Sequence, residues 1–212
     1  MWDKLKEQFN LLKLEKKHLC MITNSDKFLS KDDFLDAVAS ALQGGVDMVM
    51  LNEKNIPDST VVDIGRKIRI LCDEYGATYI VNDRADIALI TEADGVHLEP
   101  QGVSVADVRE LASHNTIIGK TVYTTEELKR AETDGADYIL LSPQNGEILP
   151  DIDLIFEARD NCKMPVFITG EINTANVNDV LQFGINKLAL ADELMYAKIP
   201  ELKAREFIKQ IY

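Results

Sequence analysis

Cysteine is scarce in this chain. Cys20, Cys72 and Cys162 lie far apart in apolar contexts, with no CxxC pair and no zinc-type spacing. This argues against a disulfide framework or a zinc module and predicts buried free thiols in a reducing cytoplasm. Long apolar runs are also missing, and none approaches the ~18 residues of a membrane span. The opening Met1-Trp2-Asp3-Lys4 carries no signal-peptide core. Positive charge is in short supply: 23 Lys and Arg stand against 36 Asp and Glu, a formal net charge of −13. A nucleic-acid binder would show a basic face, and so would a protein docking on anionic membranes, so the balance argues against both. A phosphorylated small molecule remains compatible, because a local pocket can be positive on an acidic protein. No GxGxxG or Walker-type loop, linker or low-complexity block appears.

What is present is a core and a rhythm. The 212 residues are 46% hydrophobic, which suits one domain with a sizeable interior. Residues 2–17 read as an amphipathic helix, with Trp2, Leu5, Phe9 and Leu12 near one stripe. This helix closes the end of the fold or pairs with a partner subunit; a membrane-surface helix is the alternative. Strand-like runs then follow at 19–23, 48–51, 78–81, 96–98, 117–122, 138–141, 166–168 and 188–190. Helix-like segments separate them at 31–43, 59–75, 85–91, 105–113, 125–133, 152–161, 174–183 and 199–211. Ser30, Ser104 and Thr124 are N-cap signals. An internal echo supports the alternation: Gly45-Val46-Asp47, Ala93-Asp94-Gly95, Gly135-Ala136-Asp137 and Gly184-Ile185-Asn186 each stand just before a strand. Eight β runs alternating with eight α runs predict an α/β protein, a single (β/α)8 TIM barrel over residues 18–212 with an extra N-terminal helix in 1–17. A doubly wound open sheet is the alternative.

Such a barrel builds its site at the C-terminal strand ends. Strand 3 ends in Asn82-Asp83-Arg84, and strand 2 leads into Asn52-Glu53-Lys54. Lys54 with Asn82 and Asp83 suits an anionic substrate and a hard cation such as Mg²⁺, which takes one or two carboxylates plus phosphate oxygens; a plain Lys–Asp pair or solvated loop charges is the other reading. Glu53, Glu99, Glu171, Asp192 and Glu193 make an acidic rim, read as solvated charge or as a metal cluster. His97, between Val96 and Leu98, reads as a hydrogen-bonded core or rim histidine.

From Cys20 to Leu194 the chain resembles the thiamine phosphate synthases and the related TenI-like thiazole tautomerases. The likeness rests on Ala41 to Asp47, Glu53-Lys54, Val81-Asn82-Asp83-Arg84, Ala93 to Leu98, Ile118-Gly119, Gly135 to Tyr138, Pro143 and the stretch 165–176. The resemblance implies a TIM barrel that couples a pyrimidine pyrophosphate to a thiazole phosphate, releases pyrophosphate with Mg²⁺ help, and often forms a homodimer. Carried over residue by residue, it implies that Lys54, Asn82, Thr121 and Gly170 bind substrate and that Asp83 holds the metal.

The family's other residues are replaced. The Gln-x-Arg-x-Lys of strand 2 is here Met50, Asn52 and Lys54 at its three specified positions. The second metal Asp aligns with Gly102. The Lys-bearing loop after strand 6 is Gln144-Asn145-Gly146-Glu147, and the paired glycines after strand 7 are Gly170-Glu171. The phosphate-binding Ser after strand 8 is Asp192, and the tautomerase His after strand 5 is Tyr123. Two cations are thus removed, and carboxylates stand where phosphate is expected. A like-charge pair at ~4 Å costs on the order of 4 kcal/mol at an effective dielectric of ~20. Three functions follow as alternatives: a divergent synthase, a family member acting as a non-catalytic binder or scaffold, and a different metal-dependent lyase or isomerase using the acidic rim.

Overall fold

Each of the eight apolar runs forms a strand, and the strands close on themselves. The computed structural model describes residues 10–113, 115–144 and 146–212. In order, its elements are β1 (Leu19–Ile22), α1 (Lys31–Gln43), β2 (Met48–Leu51), α2 (Asp58–Tyr75), β3 (Thr78–Asn82), α3 (Ala85–Ile90), β4 (Gly95–Leu98) and α4 (Val105–Leu111). They continue with β5 (Ile117–Val122), α5 (Thr125–Thr133), β6 (Tyr138–Leu141), α6 (Ile152–Asn161), β7 (Val166–Ile168), α7 (Val177–Leu181), β8 (Leu188–Leu190), α8 (Asp192–Met195) and α9 (Pro200–Ile211). The strands run parallel in the sequential order β1 to β8, and β8 pairs with β1 to complete a TIM barrel. No helix among the described residues is long and apolar enough to cross a membrane.

Alternation along the strands makes two apolar layers. One face packs outward against the helices. The other fills the barrel with Cys20, Met48, Met50, Ile80, Ile117, Tyr138, Leu140, Phe167 and Ala189. Gly119 makes this filling possible, because a Cβ there would stand 2.1 Å from the Tyr138 ring. Cys20 and Cys72 are buried and Cys162 half-buried, all free thiols.

The Asp of the repeated echo has a structural task. Asp47 accepts the N–H groups of His18 and Leu19, Asp94 that of Tyr79, and Asp137 that of Ile118. The loop entering an even-numbered strand thereby ties down the first residues of the strand before it. Lys13 and Arg69 converge on Asp94, and Arg109 on Asp137. Residues 10–15 are helical. Fully buried Leu14 plugs the floor of the barrel, and Lys187 Nζ donates to the carbonyls of Leu14, Glu15 and Lys17. The described part of the N-terminal helix therefore closes one end of the fold. Trp2, Leu5 and Phe9 lie outside the described residues; Leu12 is exposed.

Ser30, Ser104 and Thr124 cap their helices, Thr124 in a reciprocal box with Glu127. Two elements depart from expectation. The segment expected to be helical over 174–183 is so only over Val177–Leu181, because Asn173 and Asn176 side chains take backbone N–H groups and hold 173–176 as a turn. A short helix, α8, follows β8 directly.

Candidate active site

The mouth is built from the residues that follow the strands. Just after β1, buried Thr23 donates its hydroxyl to Glu53 Oε1 at 2.7 Å and accepts the Asn52 N–H at 3.0 Å. Ser25 gives Glu53 Oε2 both its N–H and its hydroxyl. Glu53 is thus a brace joining the loops after β1 and β2, not a solvated rim charge. Lys54 stands apart, exposed on the loop after β2.

Asn82, at the end of β3, lies on the inward face two residues beyond Ile80. Its Nδ2 donates to Asn52 Oδ1 at 3.0 Å and to Glu99 Oε1 at 3.4 Å, while its buried Oδ1 has no partner. Asp83 adopts the left-handed region at φ 58°, a conformation Asp tolerates better than most residues and one that marks functional turns. Its N–H continues the ladder to the His97 carbonyl. Its Oδ1 accepts the Glu99 N–H at 2.9 Å. From β5, Lys120 Nζ donates to the Glu99 carbonyl at 2.7 Å. Arg84 is bound away from the mouth, to Asp58 and Asp86.

Below this layer runs a buried chain of three groups. His97 Nε2 lies 2.7 Å from Thr121 Oγ1, and its Nδ1 lies 3.0 Å from the Tyr138 hydroxyl. Burial, with the Lys120 charge adding to it, lowers the His97 pKa to about 3, so the ring is neutral at physiological pH. Sequence reasoning named His97 as a core or rim histidine; it is fully buried, and it orients Thr121. Burial raises the pKa of Tyr123, and the charges of Glu99 and Glu127 add to that, which makes it a poor proton relay at neutral pH.

On the opposite side, a cavity of about 390 Å³ lies over β7 and β8, lined by Thr169, Gly170, Glu171, Asn173, Asp192 and Glu193 among others. Gly170, at φ 152°, is required by a close backbone approach: a Cβ there would stand 2.4 Å from the Ile148 carbonyl. Asp192 pairs with Lys27 at 3.1 Å and Glu193 with Lys203 at 3.8 Å.

The expected residues are therefore only partly brought together. Asn82, Asp83 and Thr121 share one sector of the mouth, through Glu99 and His97; Gly170 belongs to the other sector, and Asn82 donates to Asn52 and Glu99. Asn145 and His114 fall outside the described residues. Sequence reasoning missed Lys120, although a lone charge inside Ile117-Ile118-Gly119-Lys120-Thr121-Val122 was the signal for it.

The donors do not form a Mg²⁺ site of their own. Among the described residues, no group of three or more His, Cys, Asp or Glu side chains converges on a cation position. One Asp83 oxygen is engaged by the Glu99 N–H, and Gly102 stands beside it with no side chain; a Cβ there would lie 3.0 Å from Asp83 Oδ1.

Comparisons with known proteins place this geometry. The sequence model described as thiamine monophosphate synthase matches residues 19–194. A thiamine-phosphate synthase of Pyrococcus horikoshii is 37% identical over 85% of this chain and 88% of its own. One from Nostoc punctiforme is 34% identical over 85% of this chain and 53% of its own, so the chain spans about half the length of that relative. The solved thiamine phosphate pyrophosphorylase from Pyrococcus furiosus superposes with a TM-score of 0.83 at 32% identity, covering 94% of this chain and 97% of the other.

Proposed function

Because the chain belongs to the thiamine monophosphate synthase family, we propose that it keeps the family barrel as a small-molecule-binding mouth while having lost the coupling of a pyrimidine pyrophosphate to a thiazole phosphate. The observation that carries this reading is the charge of the cavity over β7 and β8, whose lining holds Glu171, Asp192 and Glu193. A phosphate ester entering there brings negative charge to negative charge. The nearby cations Lys27 and Lys203 are engaged by two of those carboxylates. At the other side of the mouth, Asn52 stands where the family resemblance expects an Arg, and the retained Lys54 is exposed. One cation offsets little of a charge of about −3, and exposure screens even that.

A second reading is favoured by a specific observation: Asn82, Asp83 and Thr121 are retained in one sector and held in order by Glu99 and His97. On that reading the chain is a divergent synthase, soluble and active on small phosphorylated heterocycles. Asn82 and Thr121 would contact substrate. Mg²⁺ would arrive with the pyrophosphate, be held by Asp83 and the substrate's oxygens, and help pyrophosphate to leave.

A coupling assay decides between them. Purified protein is incubated with hydroxymethylpyrimidine pyrophosphate, thiazole phosphate and Mg²⁺, and thiamine phosphate is quantified by chromatography. The first reading expects no product above the protein-free control. Product that scales with protein concentration would reject it and establish the synthase.

A further inference from the structure

Glu99 is held from three directions. Asp83 Oδ1 takes its N–H at 2.9 Å, Lys120 Nζ donates to its carbonyl at 2.7 Å, and Asn82 Nδ2 reaches its carboxylate at 3.4 Å. The two backbone contacts come from charged side chains of the neighbouring strands, Asp83 just after β3 and Lys120 on β5. The residue the family resemblance marks as a metal ligand, Asp83, here clamps a peptide group, and does so from a left-handed backbone. These two contacts fix the Glu99 backbone where the side chain leaves it, and the Asn82 amide holds the carboxylate itself.

The second observation is Asn82. Its side chain is about nine-tenths buried, at 6% exposure, and its Oδ1 has no hydrogen-bond partner. Turning the amide over would not help, because the oxygen would then face the Glu99 carboxylate, so Glu99 itself keeps Oδ1 as the unused group. A buried acceptor left without a donor is destabilising, and a ligand that supplies the donor recovers that cost. The Glu99 carboxylate and the unpartnered Asn82 oxygen, at the ends of the paired strands β4 and β3, are two acceptors. Their complement is a molecule that brings N–H donors on one edge.

We propose that Glu99 and Asn82 form the ligand-recognising element of this barrel and that it selects amidinium-like or other cationic nitrogen bases over phosphate esters. One N–H of the ligand meets the Glu99 carboxylate and a second meets Asn82 Oδ1. An anion brings only acceptors to this place. The net charge of −13 draws cations toward the mouth and repels anions. Lys120 is a positioning residue in this arrangement, since one of its N–H groups is directed to the Glu99 carbonyl.

The inference rests on the reading that the coupling reaction has been lost, and the two fail separately. The full chain is titrated by calorimetry with benzamidine, with thiamine and with inorganic pyrophosphate, and amide chemical shifts are followed in labelled protein. The two cations are expected to bind at least tenfold more tightly than pyrophosphate and to shift the amides around Asn82 and Glu99. Glu99→Gln, which keeps the shape, is expected to weaken cation binding about 10- to 100-fold, the worth of one hydrogen bond to a charged group. Tighter binding of pyrophosphate, cation shifts confined to other parts of the surface, or unchanged affinity in a folded Glu99→Gln would overturn the proposal. If the variant does not fold, the shift map of the wild-type chain decides alone. Thiamine phosphate formed in the coupling assay removes the parent reading whatever the cations do, whereas absence of both product and cation binding removes this inference only.

Discussion

At the floor of the barrel, Asp94 receives Lys13, Arg69 and the Tyr79 N–H, and Asp137 receives Arg109 and the Ile118 N–H. At the mouth, Glu53 receives two hydroxyls and an N–H, and the Glu99 carboxylate one amide. Both ends thus use carboxylates to tie strands and loops together, but the floor pairs them with partly buried cations while the inner mouth does not. The floor is arranged as stabilising structure. The mouth holds negative charge and an unused acceptor in place, an arrangement that costs stability and gains meaning only when something binds.

The largest effect is expected inside the barrel, where floor and mouth share a core. Gly119→Ala drives a methyl into the Tyr138 ring and breaks the link from its hydroxyl to His97. Urea unfolding should show a loss of about 3 kcal/mol or more. A loss below about 1 kcal/mol would mean that Tyr138 has room to move and that the interior is not the rigid divider between the two ends. Next comes the floor itself. Asp94→Asn removes the charge that Lys13 and Arg69 share and leaves one acceptor oxygen for three donors, at a cost of about 3 kcal/mol. Burial raises the Asp94 pKa, but its Lys13, Tyr79 and Arg69 partners outweigh that and lower it below the ordinary value. Its contribution is therefore complete above the unfolded pKa near ~4 and lost as pH falls through the lower folded value. The gap between wild type and Asp94→Asn should close at strongly acid pH, and a constant gap would contradict the assignment.

His97 gives a third handle. Its folded pKa of about 3 lies well below the unfolded value, so unfolding takes up a proton between the two. Its stabilisation is whole above pH ~6.5 and falls by about 1.4 kcal/mol per pH unit below it. A midpoint-versus-pH series on wild type and His97→Gln should show this slope in the wild type only. The smallest effect is expected at the mouth surface. Glu171→Gly combined with Asp192→Ser returns the cavity over β7 and β8 toward the family pattern and should raise inorganic phosphate affinity about tenfold at low salt. The gain should fade at 1 M salt, because these groups are exposed. No gain would mean that the acidic lining is not what excludes phosphate.

The barrel was legible because two periodicities of different origin agree along the chain. Apolar runs such as Met48–Leu51 and Tyr138–Leu141 can only be strands buried on both faces, and the Gly- and Asp-bearing turns place helices between them. The echo itself was visible, but its reason was not, since Asp47, Asp94 and Asp137 bind N–H groups that lie far off in sequence. The acidic rim read as one class, solvated charge or a metal cluster. In space it divides into a brace at Glu53, a clamped group at Glu99, an exposed ion pair at Asp192 and a half-buried one at Glu193. Nothing local distinguishes these, because the difference is made by Thr23, Asp83, Lys120, Lys27 and Lys203 arriving from other strands and loops. Lys54 and Asn82, adjacent on a strand-end list, are separated because Asn82 turns to Asn52 and Glu99.

The most direct measurement of the contrast between the two ends is a calorimetric titration of the full chain with hydroxymethylpyrimidine pyrophosphate, with and without Mg²⁺. A mouth without a converging set of cations predicts no saturable heat below roughly millimolar ligand in either condition. Saturable micromolar binding that weakens with salt would show that the mouth does gather positive charge around a pyrophosphate and would contradict the account.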